Sequence, residues 1–337
     1  MAILHLPLPE HLQERPRLRS CRVKGASSSP ERYCVLDALP SKPTALDQAI
    51  YGTCVAVLTV YILRCLSMLQ GSPAFRERLS IPMLHYNGLL ERLRWEWVSL
   101  ESYLPRFVSS DEGNALAWVV EGLNSMGCVL DWMYPYSTGD MQSRAPGYMD
   151  EPPGHMRLMC RLSKLFLPIV QHYPIVNQGH METSLSSSSS PSGIIVGALT
   201  SLKLPLIIAM GFPYLVEGYD LLSHLCTYET HGRTYHCVQG LGPEGDVKFA
   251  GAHQLVLVGY DSRLQMAKGS PPGDGIGITE ARWQSPGGFE FVGSWGELYG
   301  DKGHAWVSFD TVGHLFSLRA LEVWAVSTRP LHQLHGD

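Results

Sequence analysis

Two segments far apart in the chain constrain its fold more strongly than any other feature. The first, DQAIYGTC over residues 47–54, leads directly into an apolar segment that ends at Leu69. If this segment is helical, its apolar residues cover nearly every face of the helix, which is typical of a helix buried inside a domain. The second, GAHQLVLVGYD over residues 251–261, carries a short apolar run typical of a buried strand. The sequence therefore predicts Cys54 at the start of a helix and His253 at the start of a strand.

These two positions favour a nucleophilic thiol. At a helix N-terminus, unpaired backbone N–H groups and the positive end of the helix dipole favour the thiolate of Cys54 over the thiol. The Cys54 backbone N–H and the side-chain amide of Gln48 supply the two donors that a tetrahedral acyl-transfer intermediate needs. His253 is suited to accept the thiol proton and to return it to a leaving group. Taken alone, Cys54 is more simply a small buried hydrophobe and His253 a packing residue; their combination favours catalysis.

Composition and charge exclude several classes of protein. The 337 residues suffice for a large core, as one big domain or as two lobes that share a cleft. The formal net charge of -5 and the lack of a Lys/Arg cluster argue against nucleic acid as a partner. The apolar stretches 55–69 and 194–216 are too short, or too interrupted by lysine and proline, to span a membrane, so we interpret them as buried core. The N-terminus lacks a secretory signal pattern, which predicts a cytoplasmic location.

The cysteines and histidines do not have the spacing that is typical of metal ligands. Eight cysteines lie far apart without a C-x-x-C pair, which argues against a cysteine zinc site and against a small disulfide framework. Reduced thiols are therefore predicted, with a single disulfide left as an alternative. The fourteen histidines are scattered, and the glycine-rich stretches lack the Lys/Ser or helix context of a phosphate loop. Neither a metal site nor a cofactor is predicted.

The chain divides into a mainly helical first half and a strand-rich second half. Residues 1–33 are interpreted as an N-terminal arm and the serine-rich stretch 184–193 as a loop. Between and after them we predict a mainly helical lobe over 34–183 that carries the nucleophile, a β lobe over 194–330 that carries the histidine, and a tail over 331–337. The predicted helices cover 55–69, 81–99, 113–126 and 194–202, and the predicted strands cover 204–210, 255–260, 289–292, 305–309 and 321–326.

Three blocks of the sequence resemble the papain-like cysteine peptidase superfamily, particularly its compact microbial members. DQAIYGTC is similar to the family's block D-Q-G-x-x-G-S-C, and GAHQLVLVGYD to its histidine block G-G-H-A-V-L-x-V-G-Y-D. GSWGELYGDKG, over residues 293–303, is similar to N-S-W-G-x-x-W/Y-G-x-x-G. The blocks occur in the family's order, and the resemblance spans roughly residues 34–327. It implies an α+β, papain-like two-lobed fold: a helical lobe, an antiparallel β-barrel-like lobe and the active-site cleft between them.

The resemblance also implies a role for each matching residue. Cys54 is expected to be the nucleophile and His253 the general base and acid. Gln48 is expected to supply the oxyanion-hole side chain, and Trp295 to shield the catalytic centre.

One position departs from the family's pattern. Gly293 stands where the family has the asparagine that orients the histidine ring, and glycine has no side chain to do so. Ser294, Glu297 or a water molecule are the candidates to replace it, and loss of an orienting group can cost orders of magnitude in rate. The residue after His253 also departs, because Gln254 stands where a small residue is usual.

Three functions are compatible with these residues. The first is a cysteine peptidase or amidase that hydrolyses a peptide or amide through an acyl-thioester on Cys54. The second is an acyltransferase, or an amide-forming or cyclising enzyme, that passes the same acyl group to an amine; the departure at Gly293 and an apparent insertion over 268–288 favour it. The third is a catalytically silent binding module, against which the retention of both Cys54 and His253 argues.

Overall fold

The computed structural model describes residues 30–48, 52–96, 114–136, 151–176, 190–216, 219–220, 222, 225–230, 233–238, 248–265 and 285–330. Its α-helices are α1 (Cys54–Leu69), α2 (Ile81–Glu96), α3 (Leu116–Met126), α4 (Gly154–Ser163), α5 (Pro191–Leu202) and α6 (Phe309–Ser317). Its strands are β1 (Arg32–Cys34), β2 (Gln171–Val176), β3 (Leu206–Val216), β4 (Tyr219–Asp220), β5 (Leu225–Thr230), β6 (Arg233–Val238), β7 (Lys248–Asp261), β8 (Gly288–Val292), β9 (His304–Ser308) and β10 (Leu321–Ser327).

All ten strands join one sheet, with the order β2-β10-β3-β7-β8-β9-β6-β5; β1 pairs with β7 and β4 pairs with β3. Every pairing is antiparallel except the one between β6 and β9, where Cys237 lies opposite Trp306. The sheet is therefore mixed, and in the described ranges its edge strands β2 and β5 do not pair with each other. The β7 strand lies at the centre, between β3 and β8, so its residues are fixed by neighbours on both sides.

Helix α1 is the core of the helical part. Nearly all of its residues are buried, including Cys54 at its first position, as the apolar pattern predicts. It packs against β7 on one side and against α2 and α3 on the other. Because α1 packs against both the sheet and the other helices, its position relative to the sheet is fixed.

The predicted α+β class is confirmed. The helices predicted at 55–69, 81–99, 113–126 and 194–202 are found as α1, α2, α3 and α5, and the five predicted strands as β3, β7, β8, β9 and β10. Two strands from outside the predicted β lobe also join the sheet: β1 covers the end of the predicted arm and the first residue of the predicted helical lobe, and β2 lies within that helical lobe. Of the serine-rich stretch predicted as a loop, Ser190 caps α5 by accepting from the Gly193 N–H, and Pro191 begins the helix. The predicted tail, the insertion over 268–284 and the arm up to residue 29 lie outside the described residues.

No helix in the part of the chain that the structure describes is long and apolar enough to cross a membrane.

Candidate active site

The segment that leads into α1 is held by a tyrosine from a distant loop. The Tyr136 hydroxyl donates to the backbone carbonyl of Gln48 at 2.5 Å and lies 3.0 Å from Thr53 Oγ1. One side chain thus contacts both Gln48 and Thr53. Sequence reasoning assigned no role to Tyr136, and only the three-dimensional contact identifies it.

Cys54 is buried, with 7% of its surface exposed. Burial raises the pKa of its thiol, and hydrogen bonds from the backbone N–H groups of Gln254, Val55 and Cys54 itself partly oppose that rise. The contact with Gln254 places the sulfur beside the residue that follows His253.

The raised pKa differs from the sequence-based expectation of a favoured thiolate. The helix N-terminus does supply N–H groups to the sulfur, but removal of the thiol from water has the larger effect. A Cys54 thiol without a charged partner therefore stays protonated at neutral pH. Its ionisation therefore requires a cation close by.

His253 lies in β7 opposite Met210 of β3, and only 8% of its surface is exposed. Its ring stacks on the indole of Trp295, with centroids 4.5 Å apart and an interplanar angle of 12°. The ring of Tyr299 in turn packs against that of Trp295, with centroids 4.6 Å apart. The imidazole thus lies flat against the Trp295 indole, which in turn contacts the Tyr299 ring.

Ser294 connects His253 to Gln48. The Ser294 hydroxyl is fully buried, donates to Gln48 Oε1 at 2.5 Å and lies 3.4 Å from His253 Nε2. The backbone reinforces this link, because the Gln48 N–H donates to the Ser294 carbonyl at 2.7 Å. Of the side chains considered as replacements for the missing asparagine, Ser294 is the one in contact with the ring, whereas Glu297 is exposed.

The missing side chain at Gly293 is explained by the position of Trp295. A Cβ atom on Gly293 would lie 2.5 Å from Trp295 Cε3 and 2.7 Å from Cζ3, closer than carbon atoms approach. The indole ring therefore occupies the space that a side chain at this position would need. With Trp295 in this position, a side chain at residue 293 would require the indole to shift, and the hydroxyl in contact with the His253 ring is that of the next residue, Ser294.

Gln254 contributes a second unusual group next to the site. Its side chain is buried, and among the described residues its Oε1 has no hydrogen-bond partner. The sequence already marks this position, because Gln254 is large, whereas the papain-like family usually has a small residue after the histidine. Among the described residues, no group of three or more His, Cys, Asp or Glu side chains is arranged to hold a metal ion.

Comparison with known proteins identifies the fold. No family model and no curated protein matches the sequence. Xylellain, a cysteine protease from Xylella fastidiosa, matches with a TM-score of 0.56 and 15% identity over 90% of this chain and 88% of that one. Procathepsin B S9 from Trypanosoma congolense matches with a TM-score of 0.51 and 12% identity over 94% and 84% of the two chains. The chain has the papain-like cysteine protease fold that its three sequence blocks predict.

Proposed function

We propose that this protein is a cysteine peptidase that hydrolyses peptide or amide bonds through an acyl-thioester on Cys54. The observation that carries the proposal is the contact of the Ser294 hydroxyl with both His253 and Gln48, together with the hydrogen bond from the backbone of Gln254, the residue after His253, to the Cys54 sulfur. A buried histidine that only packs does not need this network. The three side chains come from separate parts of the chain and contact one another through the Ser294 hydroxyl.

The hydrogen bonds of Ser294 support one tautomer of the neutral His253 ring. Ser294 has one hydroxyl proton, and it is donated to Gln48 Oε1. Its contact with His253 Nε2 must then be an N–H···O hydrogen bond in which Nε2 carries the proton. The other ring nitrogen, Nδ1, is therefore the unprotonated one in neutral His253. This tautomer is the one that a general base needs if Nδ1 takes the thiol proton.

The same hydroxyl orients the oxyanion donor. Ser294 contacts Gln48 at Oε1, so this hydrogen bond does not use the amide N–H groups of Gln48. With the backbone N–H of Cys54 at the start of α1, they supply two donors for the oxygen of a tetrahedral intermediate. In this proposal Ser294 orients both the general base, His253, and the oxyanion donor, Gln48.

The proposed reaction begins with transfer of the Cys54 proton to His253. Burial opposes free ionisation of the thiol, so the thiolate forms together with the imidazolium as an ion pair. The sulfur attacks the substrate carbonyl, and the carbonyl oxygen accepts from Cys54 and Gln48. His253 then gives its proton to the leaving amine, and a thioester on Cys54 remains. Water, deprotonated by His253, hydrolyses the thioester and regenerates the thiol.

The acyltransferase alternative shares every step up to the thioester and differs only in the second nucleophile. Hydrolysis needs water alone, whereas transfer needs a second site that holds an amine against the thioester. Incubation with a peptide library, with and without added amines, separates the two by the mass of the product. We expect hydrolysed peptides as the main product in both samples.

Selective alkylation tests the proposed nucleophile. We expect an epoxide inhibitor directed at acyl-forming thiols, or iodoacetamide, to modify Cys54 faster than any other cysteine near neutral pH. The reason is that His253 supports the Cys54 thiolate in the proposed mechanism, whereas burial, as the largest cause, raises the pKa of Cys65 and of Cys237 to about 12. Peptide mapping by mass spectrometry measures the rates. If Cys54 is modified no faster than the other seven cysteines, the proposal is wrong.

Ser294→Ala is expected to lower kcat by about tenfold to a hundredfold, part of the gain that a positioned general base provides. The variant loses the group that fixes the tautomer of His253 and the amide of Gln48, so kcat falls more than KM changes. The pKa read from the acid limb of the pH–rate profile is expected to shift as well. Steady-state kinetics over a pH series measure both quantities.

Ser308→Ala is a matched control for that variant. Ser308 is also a fully buried serine, and its hydroxyl caps α6 by accepting from the Thr311 N–H at 3.0 Å. Both variants are expected to lose about 1 kcal/mol of stability from a buried hydrogen bond or cap. Only Ser294→Ala is expected to change the pH profile; equal activity in the two variants contradicts the positioning role.

A further inference from the structure

The helix α4 and the turn after it expose an unusual apolar surface. Helical hydrogen bonding continues beyond Ser163, because the Leu167 N–H donates to the Ser163 carbonyl at 3.1 Å. The side chains of this stretch form three rows at helical spacing. The inner row packs toward the protein core and consists of Met156, Cys160, Ser163 and Leu167.

The outer row, on the opposite side, is apolar where a surface helix is normally polar. Its members and their exposed fractions are Leu158 (57%), Met159 (41%), Leu162 (47%), Leu165 (77%), Phe166 (83%) and Ile169 (71%). These are six of the nine large hydrophobic side chains that are exposed among the described residues. Such a concentration in one short stretch marks an interaction site rather than chance exposure.

The third row is cationic. Arg157, Arg161 and Lys164 follow one another at the same helical spacing along one flank of the apolar row. Arg157 pairs with Glu151 at the edge of the row, while Arg161 and Lys164 form no ion pair within the described residues. The sequence from 152 to 181 contains no Asp or Glu, although the whole chain has a net charge of -5. The stretch that carries the exposed apolar side chains is therefore positively charged, although the chain as a whole is negatively charged.

We propose that this surface docks on an anionic lipid membrane, lying in the headgroup region without crossing it. The apolar row and its cationic flank together match the interfacial amphipathic helix, in which apolar side chains enter the acyl boundary and Lys or Arg contact anionic headgroups. The inner row anchors the helix to the protein, so the outer row faces away from the protein core. Charge complementarity favours lipid headgroups as the occupant, since the patch offers cations and hydrocarbon but few hydrogen-bonding groups for a specific protein partner.

The proposal goes beyond peptide hydrolysis and does not depend on it. It uses none of the residues in the candidate active site, and it adds a location for the enzyme: the surface of an anionic membrane. A peptidase held there would meet substrates presented at the same surface.

Vesicle co-sedimentation tests the proposal. The full-length protein is mixed with vesicles of phosphatidylcholine alone or with vesicles that also contain phosphatidylglycerol, at low and high salt. We expect binding to the anionic vesicles, weaker binding at high salt, and little binding to the neutral ones. Leu165→Asp/Phe166→Asp is expected to reduce binding on the order of a hundredfold, because two exposed apolar anchors are lost. Arg161→Glu/Lys164→Glu is expected to reduce binding to anionic vesicles by at least about tenfold.

Two control variants each carry a single change of the same kind outside the surface. Leu298→Asp alters a fully exposed leucine in another loop, and Lys302→Glu reverses an exposed lysine there. Both are expected to bind vesicles like the unaltered protein, and circular dichroism checks that every variant is folded. Failure of the unaltered protein to bind anionic vesicles overturns the proposal, as does equal loss of binding in the controls. A dimer in light scattering that Leu165→Asp/Phe166→Asp dissociates also overturns it, because the row is then a subunit interface.

Discussion

Cys54→Ala and His253→Ala are each expected to reduce peptide hydrolysis by on the order of a thousandfold or more. Without the Cys54 sulfur no thioester forms. Without His253 the buried thiol has no cation to support its ionisation, and its raised pKa keeps it protonated at neutral pH. Initial rates with a peptide substrate found by library screening measure both effects. The double variant is expected to be no slower than either single variant, because the two residues act as one unit.

Cys65→Ala is the matched control for the nucleophile. Cys65 lies in the same helix, is also buried, and has a thiol pKa that burial raises to about 12. Its replacement removes a buried thiol and leaves a small cavity, so stability falls while activity per folded molecule is retained. Hydrolysis that survives in Cys54→Ala, or that is lost equally in Cys65→Ala, contradicts the assignment. Hydrolysis that vanishes in Cys54→Ala but persists in His253→Ala contradicts the role given to the histidine.

Much of the candidate site could be predicted from the sequence because its parts lie in strongly patterned elements. The apolar period after Cys54 indicates a buried helix, and the run after His253 indicates a buried strand. Both patterns come from burial on all sides, which the packing of α1 against β7 explains. Cys54 is the first residue of α1, as predicted, but β7 begins at Lys248, so the prediction that His253 stands at the start of a strand was wrong.

The orienting contact could not be predicted, because it depends on the packing of an aromatic ring. Glycine at 293 leaves several replacements open in the sequence. The structure reduces them by placing the Trp295 ring in the space next to Gly293 and the Ser294 hydroxyl next to the imidazole. Neither placement follows from residue spacing. Both depend on the backbone hydrogen bond between Ser294 and Gln48, which are far apart in the sequence.

Proline accounts for two of the differences between the predicted and the observed strands. The sequence predicts a strand that ends at Met210, yet β3 continues to Val216 through a register shift between Phe212 and Pro213. A bulge of this kind accommodates a residue that cannot donate to the ladder. The strand β2 contains Pro174 and was not predicted; it lies at the edge of the sheet, where a missing N–H is tolerated.

The helix α4 was missed for a different reason. Apolar residues occur on both its inner and outer rows, so the sequence lacks the single apolar stripe that identifies a surface helix. Only Cys160 among the residues of this helix is fully buried. The same feature that hides the helix in the sequence produces the exposed apolar row on the folded protein.

The protein is expected to lose stability steeply as the pH rises above about 9, because its thiols are buried. Burial raises the pKa to about 12 for Cys34, Cys65 and Cys237 and to about 11 for Cys160; at Cys34 the charge of Glu290 adds to the effect. Ionised thiols are thus favoured in the unfolded chain over the folded one. The stability from each thiol is fully present below the unfolded pKa of 9.0 and is lost as the pH rises toward the folded value.

The size of the loss follows from the shifts. One pKa unit corresponds to about 1.4 kcal/mol, so four thiols together cost about 5 kcal/mol at a pH one unit above their unfolded value. That is comparable to the whole free energy of unfolding of many domains. Urea unfolding followed by tryptophan fluorescence, at a series of pH values under reducing conditions, measures it. Cys237→Ala is expected to be less stable than the unaltered protein at neutral pH but to lose stability less steeply above pH 9, because one fewer thiol ionises on unfolding; parallel curves for the two proteins contradict the assignment of the alkaline loss to buried thiols.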